Sequence, residues 1–152
     1  MNHLATSKED ILAASRDLIK ENGWAAVSIR AVASRCSVSA GTIYNYYESK
    51  ADLLSDTIES IWHEIFFHPE DEQVFHDVES CISWIYERLE YGNRQFPGFF
   101  SLHSFGFMRD EKTSGKKRMM KTWGHILNGL CEVLENDPKV RADVFDQEFT
   151  EK

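Results

Sequence analysis

The chain has 152 residues, of which 42% are hydrophobic and 12% aromatic, and this is enough apolar material for one folded core of ordinary size. Its net charge of −8 argues against a protein that coats nucleic acid non-specifically, because that binding depends on many cationic contacts to phosphate. It contains neither an apolar run of about 18 residues nor a signal-peptide pattern, so we expect a cytoplasmic protein without a membrane span.

The first predicted element is an amphipathic helix over about residues 7–22. Thr6 and Glu9 have the spacing of a capping box, and apolar side chains then recur at helical intervals. Asn22 and Gly23 favour the left-handed conformation in which helices commonly end.

Two short helices are predicted next, joined by a tight turn. Ser28 is a suitable N-cap for the first of them, which ends near Arg35. Residues 36–38 form the turn, and Ser39 is a suitable N-cap for the second, which runs to residue 46 or 47. Two short helices joined in this way are typical of a helix-turn-helix.

A longer fourth helix connects these three to the rest of the chain. Ser49 and Asp52 have the spacing of a helix cap, and Pro69 ends the apolar helical pattern. A fifth helix is predicted over residues 72–91, with Gly92 and Asn93 as its stop.

The remaining sequence also has helical character. Residues 96–108 are rich in aromatic side chains, and apolar residues repeat at helical spacing over about residues 113–136. No strand-like alternation extends beyond a few residues. The sequence therefore predicts an all-α fold.

The first four helices resemble the TetR, or tetracycline-repressor-like, family of bacterial transcription regulators. The matching residues 11–54 read ILAASRDLIKENGWAAVSIRAVASRCSVSAGTIYNYYESKADLL, and the most specific part is V-S-x-G-T-I-Y-x-Y-Y-x-S-K at residues 38–50. The resemblance implies a three-helix DNA-binding domain over residues 7–68, joined by the long fourth helix to a helical ligand-binding and dimerisation domain over residues 69–152.

The third helix would be the recognition helix in the major groove. Ile43 is its inward position, and Tyr47 is expected in the core. The opposite face carries few charges but many hydroxyl groups, which can bind phosphate oxygens together with the free N–H groups of helix amino termini. Gly41 lets the backbone approach a groove wall. Relative to alanine, the glycine destabilises the helix by about 1 kcal/mol.

The resemblance implies particular roles for individual residues. Four of them approach bases or the adjoining backbone, two tyrosines and a lysine contact phosphates, and two residues of the second helix clamp the flanking strand. The residues near the bases are Ala40, Gly41, Thr42 and Asn45, and those at phosphates are Tyr44, Tyr46 and Lys50. The residues that clamp the flanking strand are Ser28 and Arg30, and Ser39 is the cap of the recognition helix. The plainer interpretation is that Tyr44 and Tyr46 cover the surface and that Asn45 and Lys50 are solvated.

Two charge and sequence features bear on this domain. Residues 1–50 hold six Lys/Arg against five Asp/Glu, whereas residues 51–152 hold eleven against twenty, so the acidity belongs mostly to the second part of the chain. The turn has Ser37 where the family often has glycine. If Ser37 is left-handed, serine costs about 1 kcal/mol and the turn takes a slightly different shape.

In the second part of the chain the resemblance is to architecture only. It implies a small-molecule effector bound between helices and a homodimer, commonly formed through the last two helices. The aromatic content fits a pocket, although these side chains would equally fill a core. The residues named for the pocket are Trp84, Phe99, Phe100, His103, Phe107, Trp123 and Leu127.

Neither a metal site nor a cofactor is predicted. The histidines show no i, i+4 pair with a third ligand. The cysteines Cys36, Cys81 and Cys131 are odd in number and far apart, which indicates neither a disulfide framework nor a metal knuckle, so they are expected to be buried. Residues 139–152 resemble the beginning of a helix, so the chain is either naturally short or truncated.

The predicted function is a transcriptional regulator, a repressor released by its ligand, that binds a near-palindromic operator in double-stranded DNA as a homodimer. The first rival is an enzyme, against which stands the absence of a nucleophile-base pair, a Gly-rich phosphate loop or a metal triad. The second rival is a helical protein-interaction module whose helix-turn-helix no longer binds DNA.

Overall fold

The computed structural model describes residues 6–67, 75, 77–101 and 114–141. Within these ranges the structure is helical without strands, which confirms the all-α prediction. No described helix is long and apolar enough to cross a lipid bilayer. The helices are α1 (Lys8–Asn22), α2 (Ile29–Arg35), α3 (Ala40–Tyr44), α4 (Lys50–Phe66), α5 (Val78–Gln95) and α6 (Ser114–Asn136), with a single 3₁₀ turn (Trp24–Ala26) between α1 and α2.

The capping box of α1 lies one residue later than the sequence pattern predicts. The N–H of Asp10 donates to Ser7 Oγ over 3.1 Å, and the N–H of Ser7 donates to Asp10 Oδ2 over 2.8 Å. Thr6 is buried instead, and its carbonyl accepts the hydroxyl of Tyr46. Both spacings are present in the sequence, and the structure uses the one that begins at Ser7.

The turn between α2 and α3 is a Schellman motif. The N–H of Val38 donates to Ala33 O over 2.9 Å, and the N–H of Ser37 donates to Ser34 O over 3.1 Å. Ser37 is left-handed, with φ 56°. Ser37 therefore has the left-handed conformation that the sequence analysis considered, and the turn forms both hydrogen bonds of the motif, while the difference in shape from a turn with glycine stays a prediction.

The cap predictions for α2, α3 and α4 are confirmed. The Oγ atoms of Ser28, Ser39 and Ser49 each accept a backbone N–H three residues later, over 3.1 Å in every case. Regular helix α3 is shorter than predicted and ends at Tyr44, because the next two residues continue as a turn. In that turn the N–H of Tyr46 donates to Ile43 O over 3.0 Å.

Helix α5 does not stop at Gly92 and Asn93, so that prediction is wrong. A Cβ atom on Gly92 would lie 2.6 Å from Ile65 Cδ1 of α4. The glycine permits a close approach of two helices and remains inside α5, which ends at Gln95. The helix begins at Val78 with Asp77 as its N-cap, and the residues 72–74 and 76 assigned to it from sequence lie outside the described ranges.

One hydrophobic core runs through the described helices. Ile11, Val32, Ile43 and Ile61 are fully buried in it, at 0% exposure. Phe96 and Phe99 follow α5 and belong to the same buried cluster, and Trp24 contacts Phe99 with ring centroids 6.2 Å apart. The helix-turn-helix and the second part of the chain are thus joined by apolar packing as well as by α4.

Candidate nucleic-acid interface

Helices α2 and α3 are held together by the inward face predicted from sequence. Ile43 is fully buried and Tyr47 is 4% exposed, and both pack in the core with Val32 of α2. The ammonium group of Lys8 lies 5.5 Å from the centroid of the Tyr47 ring. Tyr47 is therefore a core residue, as expected, and its packing keeps α3 rigid against the rest of the domain.

The opposite face of α3 is open to solvent. Tyr44 is 54% exposed, and Gly41 and Asn45 are also exposed, whereas Ala40 and Thr42 are partly buried. A Cβ atom on Gly41 would lie 3.5 Å from Ser39 Oγ, which is an ordinary contact. Because internal packing does not require this glycine, its place agrees with the predicted approach of an external backbone.

The small hydroxyl groups at the start of α3 bind one another. Ser39 Oγ lies 3.0 Å from Thr42 Oγ1, and it also accepts the backbone N–H of Thr42 over 3.1 Å. At the start of α2, Ser28 Oγ accepts the N–H of Ala31, which leaves its hydroxyl hydrogen available to a phosphate oxygen. Ser28 can therefore act as a cap and as a phosphate ligand together, whereas the hydroxyl groups of Ser39 and Thr42 share a hydrogen bond with each other.

Tyr46 makes a contact that the sequence pattern does not reveal. Its hydroxyl donates to the carbonyl of Thr6 over 2.6 Å, and so ties the end of the helix-turn-helix to the start of α1. Phosphate oxygens accept hydrogen bonds, and a phenol has one proton to donate. The predicted phosphate contact of Tyr46 therefore requires that the bond to Thr6 break, and it stays a prediction.

The positive charges of residues 6–67 divide into paired and unpaired groups. Of the six Lys and Arg side chains in this range, four bind carboxylates within the domain. The pairs are Lys8 with Asp56 (2.6 Å), Arg16 with Glu64 (3.2 Å), Lys20 with Glu64 (2.6 Å) and Arg35 with Glu21.

Arg30 and Lys50 are the remaining two cations. Both are exposed, and neither forms an ion pair within the described part of the chain. By contrast, Arg35 forms an ion pair with Glu21, and its hydrogen bond lowers the pKa of that carboxyl. Lys50, predicted to contact phosphate, and Arg30, predicted to clamp the flanking strand, are thus the two cations of residues 6–67 that have no ion-pair partner among the described residues.

An open acidic cleft on this domain was not predicted. It has a volume of about 250 Å³ and brings the start of α1 together with the residues between α3 and α4 and the first turns of α4. Because the residues come from distant parts of the sequence, no local pattern indicates it. Its lining consists of Lys8, Tyr46, Tyr47, Glu48, Asp52 and Asp56, whose carboxylates disfavour phosphate at this place.

Four of the predicted pocket residues lie together around two aromatic residues of α4. The ring centroid of Trp62 lies 5.4 Å from Phe99, 5.6 Å from Phe100 and 5.1 Å from Trp123. Phe66, one helical turn after Trp62, lies 5.8 Å from Trp84. Trp62 and Phe66 lie within the apolar helical pattern of the fourth helix, but the sequence did not reveal their place at the middle of the aromatic cluster.

Of the other three predicted pocket residues, Leu127 is the one that lies within the described ranges. Leu127 is 55% exposed on α6, so its assignment to an enclosed pocket does not agree with its position. His103 and Phe107 lie outside the described residues. The aromatic rings between α4, α5 and α6 make edge-to-face contacts of the kind found in protein cores.

Comparison with known proteins identifies the amino-terminal helices. Residues 11–57 match the sequence model of the bacterial regulatory proteins of the tetR family. The HTH-type transcriptional regulator UidR of Escherichia coli is 38% identical over 48 residues, which are 32% of this chain and 24% of that protein. The HTH-type transcriptional repressor KstR of Rhodococcus jostii is 45% identical over 47 residues, which are 31% of this chain and 22% of that protein.

A further similar protein is KstR of Mycobacterium tuberculosis, at 43% identity over 47 residues. The chain thus spans less than a quarter of the length of each of these curated relatives. The matched region contains α2, α3 and the beginning of α4, where Arg30, Tyr44 and Lys50 lie.

Proposed function

Because residues 11–57 form a tetR-family domain, we propose that the protein is a transcriptional regulator that binds double-stranded operator DNA through α2, α3 and the first turn of α4. The observation that carries this proposal is the charge distribution of the domain. Arg30 and Lys50 are exposed and unpaired, while the other four cations of residues 6–67 are bound to carboxylates.

The proposed contacts explain how an acidic protein binds DNA. Arg30 and Lys50 supply charge to phosphates, and the exposed Tyr44 hydroxyl adds a neutral contact. Gly41 and Asn45 lie on the face that would enter the major groove. Few formal charges are then needed, because hydroxyl groups share in phosphate binding.

The second part of the proposal is release by a small molecule. Trp62 and Phe66 belong to the aromatic cluster, and Lys50 begins the same helix at the DNA-binding surface. A ligand that enters among these rings would displace α4 and with it the helix-turn-helix. The difference in its affinity for the two arrangements sets the size of the response.

We further propose a cytoplasmic homodimer that acts as a repressor and has no enzymatic role. A two-fold pair places its recognition helices about 34–36 Å apart, the spacing of successive major grooves. Ile82 of α5 and Leu127 of α6 are exposed, at 54% and 55%, and are candidates for contact with the second copy. Repression is proposed because the similar KstR proteins are repressors.

The proposed DNA contacts are tested by binding of the full chain to a duplex from upstream of its own gene, compared with a scrambled duplex. Fluorescence anisotropy is measured at several salt concentrations. Arg30→Gln and Lys50→Gln should each weaken binding about threefold to tenfold and reduce the salt slope by about 1, because each removes one phosphate contact.

The matched control is Arg35→Gln, which makes the same change of charge at a side chain already paired with Glu21. Its salt slope should equal that of the wild type. If all three variants behave alike, the assigned phosphate contacts are wrong. If the wild-type chain shows neither sequence preference nor a salt slope, the protein is an interaction module and not a regulator that binds DNA.

A further inference from the structure

Three helices meet at one carboxylate in the last turn of α4. Glu64 Oε1 lies 2.6 Å from Lys20 Nζ, and Glu64 Oε2 lies 3.2 Å from Arg16 Nε, so both cations of this face of α1 bind the same side chain. From the other side, the hydroxyl of Tyr91 in α5 donates to Glu64 Oε1 over 3.2 Å. This group of residues, together with Arg88, is called the Glu64 junction below.

The backbone of α4 is held at the same place. The guanidinium group of Arg88 donates to the carbonyl oxygens of Glu64 and Ile65, with 3.2 Å between Arg88 Nη2 and Glu64 O. These carbonyls belong to the last turn of α4, where helix hydrogen bonds end. Arg88 also lies 4.7 Å from the centroid of the Tyr91 ring. Helix α5 therefore forms hydrogen bonds with both a side chain and the main chain of α4 at this point.

The junction is shielded from solvent. The side chains of Arg16, Lys20 and Glu64 are 17%, 29% and 23% exposed. Ion pairs at this depth are stronger and less screened by salt than pairs on the surface. Because Glu64 is the carboxylate that both cations share, its loss leaves Lys20 without an ion-pair partner among the described residues and leaves Arg16 with the exposed Glu9.

Apolar contacts beside the junction keep the helices close. The Gly92 position of α5 leaves no room for a Cβ atom next to Ile65, the residue after Glu64. Lys20 Nζ lies 5.0 Å from the ring centroid of Phe96, which follows α5 and is fully buried. A shift of α5 would therefore move the partners of Glu64 and Lys20 together.

We propose that Glu64 is a positioning residue that sets the orientation of the helix-turn-helix relative to α5. Helix α1 packs on α2, and α2 packs on α3, so an anchor on α1 also fixes the recognition helix. A displacement of α5 is passed through Tyr91 and Glu64 to Arg16 and Lys20, and changes the affinity for operator DNA. This inference rests on the proposed function.

The test removes one hydroxyl group far from the DNA-binding face. Tyr91→Phe is compared with Tyr86→Phe, a matched control on the same helix whose ring is 70% exposed and whose hydroxyl has no contact within the described residues. Tyr91→Phe should weaken binding of the full chain to its upstream duplex about fivefold, because the pre-organisation of the helices is lost. The salt slope should not change, because all phosphate contacts are kept. Tyr86→Phe should change the affinity for the duplex by less than about twofold.

A second measurement does not depend on DNA. Hydrogen exchange of the backbone amides of residues 16–20 should be about fivefold faster in Tyr91→Phe than in the wild type, because the anchor of α1 is loosened. In a Glu64→Ala background, which removes the acceptor of the Tyr91 hydroxyl, Tyr91→Phe should change DNA affinity and hydrogen exchange by less than a further factor of about two.

The outcomes separate this inference from the proposed function. If Tyr91→Phe leaves both DNA affinity and exchange in α1 at wild-type values, or if its effects add fully to those of Glu64→Ala, the junction does not connect α5 to α1 and the inference is overturned. If the wild-type chain does not bind DNA, the proposed function fails, and the exchange comparison still decides whether the junction orients α1.

Discussion

Replacing the left-handed serine in the helix-turn-helix turn should stabilise the protein. Ser37 has φ 56°, is exposed, and contributes its backbone N–H, but no side-chain hydrogen bond, to the described structure. An L residue in this conformation costs about 1–2 kcal/mol. Glycine avoids that cost, but its greater freedom in the unfolded chain offsets about 0.5–1 kcal/mol of the gain.

The net expectation for Ser37→Gly is an increase of about 0.5–1 kcal/mol in the free energy of unfolding. For a chain of this size that corresponds to a rise in melting temperature of about 1–4 °C. The measurement is urea unfolding followed by circular dichroism. The denaturant slope should not change, because both variants bury the same surface.

Ser34→Gly is the matched control. Ser34 is also exposed but lies within α2, where glycine costs about 0.5 kcal/mol relative to serine. The two substitutions should therefore change stability in opposite directions. If Ser37→Gly lowers the free energy of unfolding, or if both variants are destabilised equally, the left-handed conformation of Ser37 carries no cost and the reasoning is refuted.

Three further predictions concern packing, charge and the Tyr46 contact. In thermal unfolding, Gly92→Ala should lower stability by about 1 kcal/mol because overpacking against α4 exceeds the gain in helix propensity, whereas Gly129→Ala, with nothing within 4 Å of its Cβ, should raise it by about 1 kcal/mol. Equal effects would contradict the close approach. Hydrogen bonds from Ser80 and Lys139 lower the pKa of Asp77 to about 2, so its charge stabilises the fold above the unfolded pKa of about 3.9 and this contribution is lost as the pH falls toward 2. The stability difference between the wild type and Asp77→Asn should be constant above about pH 5 and shrink between about pH 4 and 2; a constant difference throughout would refute this. Tyr46→Phe should lower the free energy of unfolding by about 1 kcal/mol in urea, since it removes the bond to the Thr6 carbonyl, and an unchanged stability would show that the bond does not contribute.

Much of the amino-terminal structure is determined by the sequence alone, because its signals are local. Ser28, Ser39 and Ser49 bind backbone groups three residues away, so their spacing predicts where α2, α3 and α4 begin. The inward positions of Ile43 and Tyr47 follow from helical periodicity in the same way. These residues all lie within the region, residues 11–57, that matches the tetR-family sequence model.

The tertiary structure decides which of several local options is used. From the sequence, Gly92 is predicted to end a helix. It lies inside α5 instead, where Ile65 of α4 occupies the space that a side chain at position 92 would need. The Tyr46 hydroxyl, a phosphate ligand in the sequence interpretation, binds a carbonyl 40 residues away. In both cases the deciding partner is distant in sequence, and no local pattern records it.

The same distinction separates the candidate DNA contacts from the groups that orient them. The sequence identifies Arg30 and Lys50 as cations near helix starts, but only the folded chain shows that the other four cations of residues 6–67 are already neutralised. Glu64 has no signature in the sequence, since its partners come from α1 and α5. Local hydrogen bonding therefore determines the helices, whereas long-range packing and charge pairing determine which side chains remain available to bind a partner.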